Sequence, residues 1–119
     1  MKRLVFLAVI FCAPALSLAP VCSHAEQGGL KRFDLSVVEG AVSPEPRTLR
    51  VTQGDTVEIE WSTDREIHLH VHGYNIEVVV KPDAPAAMRF DADATGRFAV
   101  EEHGADRHHG IAYLEVHPR

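Results

Sequence analysis

Histidines alternate with aliphatic residues in one short stretch of this 119-residue chain, residues 67–74. His68, His70 and His72 recur at every second position, which predicts a β-strand with one apolar face and one imidazole face. Neighbours on one face of a strand lie about 6.6 Å apart. Because a metal–nitrogen bond is about 2 Å long, two such imidazoles can lean onto one ion. The stretch therefore predicts part of a metal site, and neutral imidazole suits copper and zinc.

A second group of candidate ligands comes later in the chain, at residues 102–109. His103 is followed by the adjacent pair His108 and His109, of which only one can face a given site on an extended backbone. His109, which is nearer the last strand, is slightly preferred. Glu102 is a candidate ligand, an acceptor that orients a histidine, or a solvated acid. The alternatives without metal are a polar sheet surface for the first group and a turn histidine bonded to backbone for His103.

From the first group, His70 and His72 are favoured over His68, which lies further down the strand. The predicted ligand set is His70, His72, Glu102, His103, His108 and His109.

The N-terminal segment carries the pattern of a signal peptide. Lys2 and Arg3 precede a short apolar run, and Ser23-His24-Ala25 forms a small-x-Ala cleavage site. We therefore expect a signal peptide over residues 1–25 and one domain, exported to the periplasm, over residues 26–119. The apolar run is too short to span a bilayer. An uncleaved anchor is the alternative that remains open.

Cysteine and charge narrow the functions that the exported part could have. Cys12 and Cys22 both lie in the predicted signal peptide, so the remaining domain has neither disulfides nor thiolate ligands. Lipid attachment at Cys22 is a further alternative. The chain has 17 acidic against 12 basic residues, and loss of Lys2 and Arg3 would make it more acidic. Nucleic acid and anionic membranes are therefore not expected as partners, whereas a metal ion is compatible with this charge.

The elements that must hold these histidines are strands. About eight short runs of alternating polarity are separated by turn residues at spacings of roughly 8–12, which predicts an all-β sandwich. Residues 40–46 are expected to form a loop because they contain two prolines. Residues 103–110 are expected to form a second loop, rich in histidine and glycine, before a last strand over residues 111–116.

With the strands in place, the sequence resembles the cupredoxin-like family over about residues 35–116. The resemblance rests on four stretches: Val51-Thr52-Gln53-Gly54-Asp55-Thr56-Val57, His70-Val71-His72-Gly73-Tyr74, the Gly96–Gly104 stretch with its Gly-Arg-Phe-x-Val-x-x-His-Gly spacing, and Leu114-Glu115-Val116. The resemblance implies a Greek-key β-sandwich with its metal site, if present, at one end. One ligand would come from the middle of the chain and the others from the loop before the last strand.

The sequence departs from that family at one informative position. Blue-copper members have a cysteine thiolate in the last loop, where this chain has Glu102. Methionine is missing from the loop as well, because Met88 lies well upstream. Without the copper–thiolate bond, a blue electron carrier is excluded. A site made of imidazoles, with or without a carboxylate, remains for copper or zinc.

These observations predict a small exported copper-binding protein that stores or carries the ion or confers tolerance to it. We expect a non-enzymatic monomer that exchanges copper with a copper-handling protein. A metal-free β-sandwich that serves as a periplasmic interaction module is the main alternative. His70-Val71-His72 is also similar to the His-x-His strand of superoxide dismutases, but the disulfide cysteines and the long zinc loop of that family are missing.

Overall fold

A computed structural model describes residues 28–45, 47–104 and 108–119 of the chain. The predicted signal peptide and both cysteines lie outside these residues. None of the described residues belongs to a helix that is long and apolar enough to cross a membrane.

The described residues form two β-sheets that pack face to face, which confirms the predicted all-β sandwich. The strands are β1 (Leu30–Val38), β2 (Ala41–Ser43), β3 (Thr48–Thr52), β4 (Thr56–Thr63), β5 (Ile67–Val71), β6 (Ile76–Val80), β7 (Ala86–Asp91), β8 (Gly96–His103) and β9 (His108–His117). One sheet has the order β2-β1-β4-β7 and the other the order β3-β9-β8-β5-β6. Both sheets are mixed, because β1 runs parallel to β4 and β3 parallel to β9.

Two segments expected to be loops contain strand residues. Residues 41–43 form β2, which pairs with β1 and buries Val42 in the core. Burial of this one side chain and the hydrogen bonds to β1 outweigh the effect of the nearby prolines. The last strand also begins earlier than expected, at His108 rather than at residue 111. Residues 108–110, which were expected to belong to the second loop, are therefore part of β9.

The core lies between the two sheets and is filled by every second residue of the strands. In β4, Val57, Ile59 and Trp61 are fully buried, whereas Glu58 and Glu60 point outward. This alternation is the one that the sequence predicts for a half-buried strand. The outward faces of the strands are therefore available for polar and ionisable side chains.

The buried carboxylate of Asp55 links the end of β3 to the residue before β1 through hydrogen bonds. Asp55 accepts hydrogen bonds from the backbone N–H groups of Thr52 and Gly29, each at 2.9 Å. Arg119 Nη2 lies 3.8 Å from its Oδ1. The hydrogen bond from Thr52 is the largest cause that lowers the pKa of Asp55, and burial opposes it. The turn between β3 and β4 is thereby tied to the start of β1.

Candidate metal centre

The alternation in β5 separates the core from the candidate site. Ile67, Leu69 and Val71 are buried between the sheets, and His68 and His70 lie on the opposite, outward face. Aliphatic burial thus fixes which way the histidines point, since a strand that buries one set of alternate residues must expose the other.

Pairing between β5 and β8 brings in the second group of candidates. The two strands are antiparallel, with His68 opposite His103 and His70 opposite Glu101. Residues directly opposite each other in an antiparallel pair project from the same face. His103 therefore joins the outward histidines of β5, although it lies more than 30 residues later in the sequence.

Three imidazoles meet on this face. The ring of His70 lies 4.6 Å from that of His72 and 5.2 Å from that of His103, measured between centroids. One ring nitrogen from each of the three residues falls within 4.8 Å of the other two. We refer to these three residues as the histidine cluster. It lies along the outward face of β5 and β8, not at the loop end of the sandwich that the family resemblance implies.

His70 is the central member and has an unusual environment. Both of its ring nitrogens are buried, and neither has a hydrogen-bond partner among the described residues. A buried polar atom without a partner costs free energy, so such atoms are rare in folded proteins. A metal ion would accept the lone pair of one of these nitrogens and remove part of that cost.

A backbone hydrogen bond fixes the position of His72, which directly follows β5. The N–H of His72 donates a hydrogen bond to the carbonyl of Ala99 at 2.9 Å, which extends the pairing beyond β5. Gly73 follows with a φ of 86°, a conformation that favours glycine. A side chain there would also collide with Phe98, whose Cδ1 would lie 2.4 Å from the added Cβ. Gly73 thus lets the chain turn directly after His72.

A carboxylate outside the predicted ligand set contacts the cluster. Glu101 Oε2 lies 2.8 Å from His72 Nε2. An ionised carboxylate only accepts hydrogen bonds, so Nε2 carries the proton and donates it. The Nδ1 atom of His72 is then the nitrogen left for a metal ion. Such carboxylate–histidine pairs commonly orient metal ligands.

Glu102, the carboxylate chosen from the sequence, lies elsewhere. It is opposite Leu69 in the register and so projects from the other side of β8. There it forms two hydrogen bonds with the guanidinium of Arg65, with N···O distances of 2.5 and 3.0 Å. This pairing raises the pKa of Arg65. Glu102 is therefore separated from the histidine cluster because adjacent strand residues face opposite ways.

The register also positions the last two candidates. His108 is the residue opposite His103, and His109 is opposite Glu102. By backbone position, His108 rather than the preferred His109 is next to the cluster. Their pairing follows from the early start of β9, which was not evident from the sequence.

His68 and His117 stand apart from the cluster. His68 has its ring 3.6 Å from Glu66, and His117 has its ring 3.8 Å from Glu115. Both side chains are more than half exposed. They are natural reference positions for experiments on the three clustered histidines.

The donor set defines the chemistry that this site could support. Three imidazoles provide nitrogen ligands of borderline softness, which suit copper(II) and zinc. A four-coordinate ion with bonds of about 2 Å needs its ligand atoms about 3.3 Å apart. The three clustered nitrogens lie within 4.8 Å of one another, so small ring movements would have to bring them to this spacing around an ion. Met88 is buried in the core and so cannot act as a sulfur ligand here.

No protein-family model matches the chain, and no curated protein matches it. Solved structures do match its fold. A chain of a heme-copper terminal oxidase dimer has a TM-score of 0.61 and 19% identity, with 89% of this chain and 77% of that chain covered.

Two further structures give similar values. Copper nitrite reductase from Nitrosomonas europaea has a TM-score of 0.58 and 21% identity, with 76% of this chain and 42% of that chain covered. The apo form of a copper binding protein, solved by NMR, has a TM-score of 0.58 and 12% identity, with 76% and 91% covered. This chain thus spans less than half of the nitrite reductase chain. At these identities the likeness concerns the fold, and on that ground the chain has a cupredoxin-like fold.

Proposed function

We propose that this protein binds one copper ion through His70, His72 and His103 and acts in copper storage, carriage or tolerance. The observation that supports this proposal is the convergence of three imidazole nitrogens to within 4.8 Å on one sheet face. The unsatisfied nitrogens of His70 add to it, because they lack any partner among the described residues.

Copper is favoured over other divalent ions on two grounds. Copper(II) stands highest in the affinity order for nitrogen ligands among the first-row divalent metals. The structural neighbours also include a copper binding protein and a copper nitrite reductase. The site differs from a blue-copper centre because no described residue is a cysteine. We expect an ordinary copper(II) site without the intense blue absorption of a copper–thiolate bond.

The position of the cluster favours binding and release over catalysis. It lies on the outward face of a sheet, with the His72 side chain about half exposed. A bound ion would therefore be open to incoming ligands from solvent or from a copper-handling protein. Such access suits a carrier that must exchange its ion.

We also propose that this binding takes place outside the cytoplasm, after removal of residues 1–25. The support is the basic, apolar and small-residue pattern of that segment. N-terminal sequencing of the protein from a periplasmic extract would test it. A chain that begins at Glu26 is the expected result, and an intact Met1 would contradict it.

Copper titration of purified protein tests the metal proposal. We expect one copper(II) ion per chain with a dissociation constant below micromolar, and electron paramagnetic resonance should show coupling to imidazole nitrogens. Alanine at His70, His72 or His103 should weaken binding by at least about tenfold, whereas His117→Ala should not. His117 is a matched control because it is an exposed histidine paired with a glutamate outside the cluster.

Binding weaker than micromolar, or unchanged by all three cluster substitutions, would contradict the proposal. The metal-free interaction module would be favoured if the protein purifies without metal from copper-fed cells and if its melting temperature does not change with copper or chelator. A parallel titration with zinc shows whether the site discriminates between the two ions.

A further inference from the structure

The five-stranded sheet ends at β6, a strand that runs beside the candidate metal centre. Among the described residues β6 pairs with β5 alone, so its other side has no strand partner. Directly after β6, the backbone of Lys81 pairs with that of Ala84 across a tight turn. Four of its five residues are β-branched: Ile76, Val78, Val79 and Val80. Val79 points outward with 43% of its surface exposed. An open, apolar edge of this kind is a template for pairing with another strand.

The other edge strands of the described sandwich are shorter or less apolar than β6. Strand β2 has only three residues and is followed by Pro44. Strands β3 and β7 carry Arg50 and Arg89, whose side chains are mostly exposed. Short strands, prolines and exposed charges are the usual means by which sheet edges avoid association. Strand β6 also has one charged residue, Glu77, but it is longer than β2, its other four residues are all β-branched, and the nearest proline, Pro82, lies two positions beyond its end.

The charge on β6 and the one directly after it are arranged so that this segment complements a second copy of itself. Glu77, Val79 and Lys81 follow each other at every second position and are all exposed. If two copies pair antiparallel about Val79, each Glu77 lies opposite Lys81 of the second copy. Val79 then meets Val79, and Val78 meets Val80. Opposite charges and aliphatic pairs directly across an antiparallel ladder stabilise it.

We propose that the protein forms a homodimer by antiparallel pairing of two β6 strands, centred on Val79. The occupant of the edge is a second copy because the register that places valine against valine also forms two Glu77–Lys81 ion pairs. Within one chain, Lys81 Nζ lies 3.7 Å from Glu66 in an exposed contact. Such a contact is weak, so Lys81 can exchange it for Glu77 of the second copy.

This arrangement joins two five-stranded sheets into one continuous sheet. The two-fold axis of an antiparallel strand pair is perpendicular to the sheet, so equivalent faces stay on the same side. Both histidine clusters would therefore lie on one surface of the dimer. The inference does not depend on metal binding, and it differs from the monomer expected from the sequence.

Sedimentation velocity on the domain, with chelator present, measures this association without metal bridging. We expect wild-type protein to be a dimer that dissociates on dilution. Glu77→Lys alone and Lys81→Glu alone each place like charges opposite one another at two sites. Each variant should raise the dimer dissociation constant by about tenfold or more.

A mixture of the two single variants provides the decisive test. A Glu77→Lys chain paired with a Lys81→Glu chain restores both opposite-charge contacts, so the mixture should form a heterodimer of wild-type affinity. Glu60→Lys is the matched control, since Glu60 is an exposed glutamate on β4 of the other sheet. It should leave association unchanged, and melting temperatures show that each variant is folded.

A wild-type protein that stays monomeric up to millimolar concentration would overturn the proposal. So would a dimer that neither single variant weakens, because its interface would lie elsewhere. A mixture that does not recover association would overturn the register about Val79.

Discussion

His72 Nε2 and Glu101 Oε2 lie 2.8 Å apart on the outward face of the five-stranded sheet. An ionised carboxylate can only accept this hydrogen bond, so the proton lies on Nε2, and Nδ1 of His72 is the nitrogen that could bind a metal ion. Glu101 itself lies opposite His70 in the strand register. One acid thus borders two of the three clustered histidines.

Replacing Glu101 by glutamine should weaken copper binding without unfolding the protein. A neutral amide orients the His72 ring less firmly and lowers the basicity of its other nitrogen, which costs about 10–100-fold in affinity at comparable sites. Competition with a coloured copper chelator would measure the change. Glu102→Gln is the control, because Glu102 pairs with Arg65 on the opposite side of the strand and should leave affinity unchanged. Equal losses in the two variants would argue against an orienting role for Glu101.

Replacing His70 by leucine should abolish tight metal binding and yet stabilise the metal-free protein. The substitution removes two buried nitrogens that have no partner among the described residues. We expect the free energy of unfolding to rise by about 1 kcal/mol in urea titrations without metal. His68→Leu, at an exposed position of the same strand face, should change it by less than about 0.5 kcal/mol. A marked loss of stability in His70→Leu would mean that the imidazole has a structural partner.

Asp55→Asn should destabilise the fold by about 2–4 kcal/mol, because the carboxylate accepts two backbone hydrogen bonds while buried. Its pKa in the folded protein is lowered below the unfolded value of about 3.9. The stabilisation is therefore complete above the unfolded pKa and is lost as the pH falls through the folded pKa.

Urea unfolding of wild-type and Asp55→Asn protein at neutral and acidic pH would check this. The difference in stability should be large near pH 7 and should shrink as the carboxylate becomes protonated. Asp34→Asn, at an exposed position of β1, should show a small difference throughout. A gap between wild type and Asp55→Asn that does not depend on pH would contradict the account.

Gly73→Ala should destabilise the protein by about 2–4 kcal/mol. The backbone conformation of Gly73 is strained for alanine, and the added methyl would overlap the ring of Phe98. Thermal melting measures the cost, and Gly29→Ala is the control because a Cβ at Gly29 meets nothing within 4 Å. Partial recovery in the double variant with Phe98→Leu would assign part of the cost to the ring. An unaffected melting temperature would show that the turn after His72 can adopt another conformation.

The sequence sufficed for the fold class because alternating polarity is a local signal. Residues 67–72 alternate strictly, and the structure places their aliphatic members inside and their histidines outside. Val42 escaped this reasoning because a three-residue strand is too short to show a period. Its burial depends on pairing with β1, which only the folded chain reveals.

The difference between local patterns and long-range pairing also explains why the predicted ligand set contains Glu102 and not the neighbouring Glu101. Glu101 and Glu102 look equivalent in the sequence, and a register change of one residue would exchange their faces. The register of β8 is set by its pairing with β5 and by an irregularity opposite Val100 and Glu101 in β9. These are contacts between residues distant in sequence. The family resemblance predicts that His103 and His70 come together, whereas the contact of Glu101 with His72 depends on a strand register that no local pattern reveals.

In β5, the residues that pack in the core and the histidines of the candidate site lie on opposite faces of one strand. Ile67, Leu69 and Val71 provide the packing, and the positions between them provide the imidazoles. Exchanging the outward residues therefore leaves the inward ones untouched. Other donor residues can therefore be placed at positions 68 and 70 of β5 and at position 72 directly after it, which makes this small sandwich a natural starting point for engineering sites with altered ion preference.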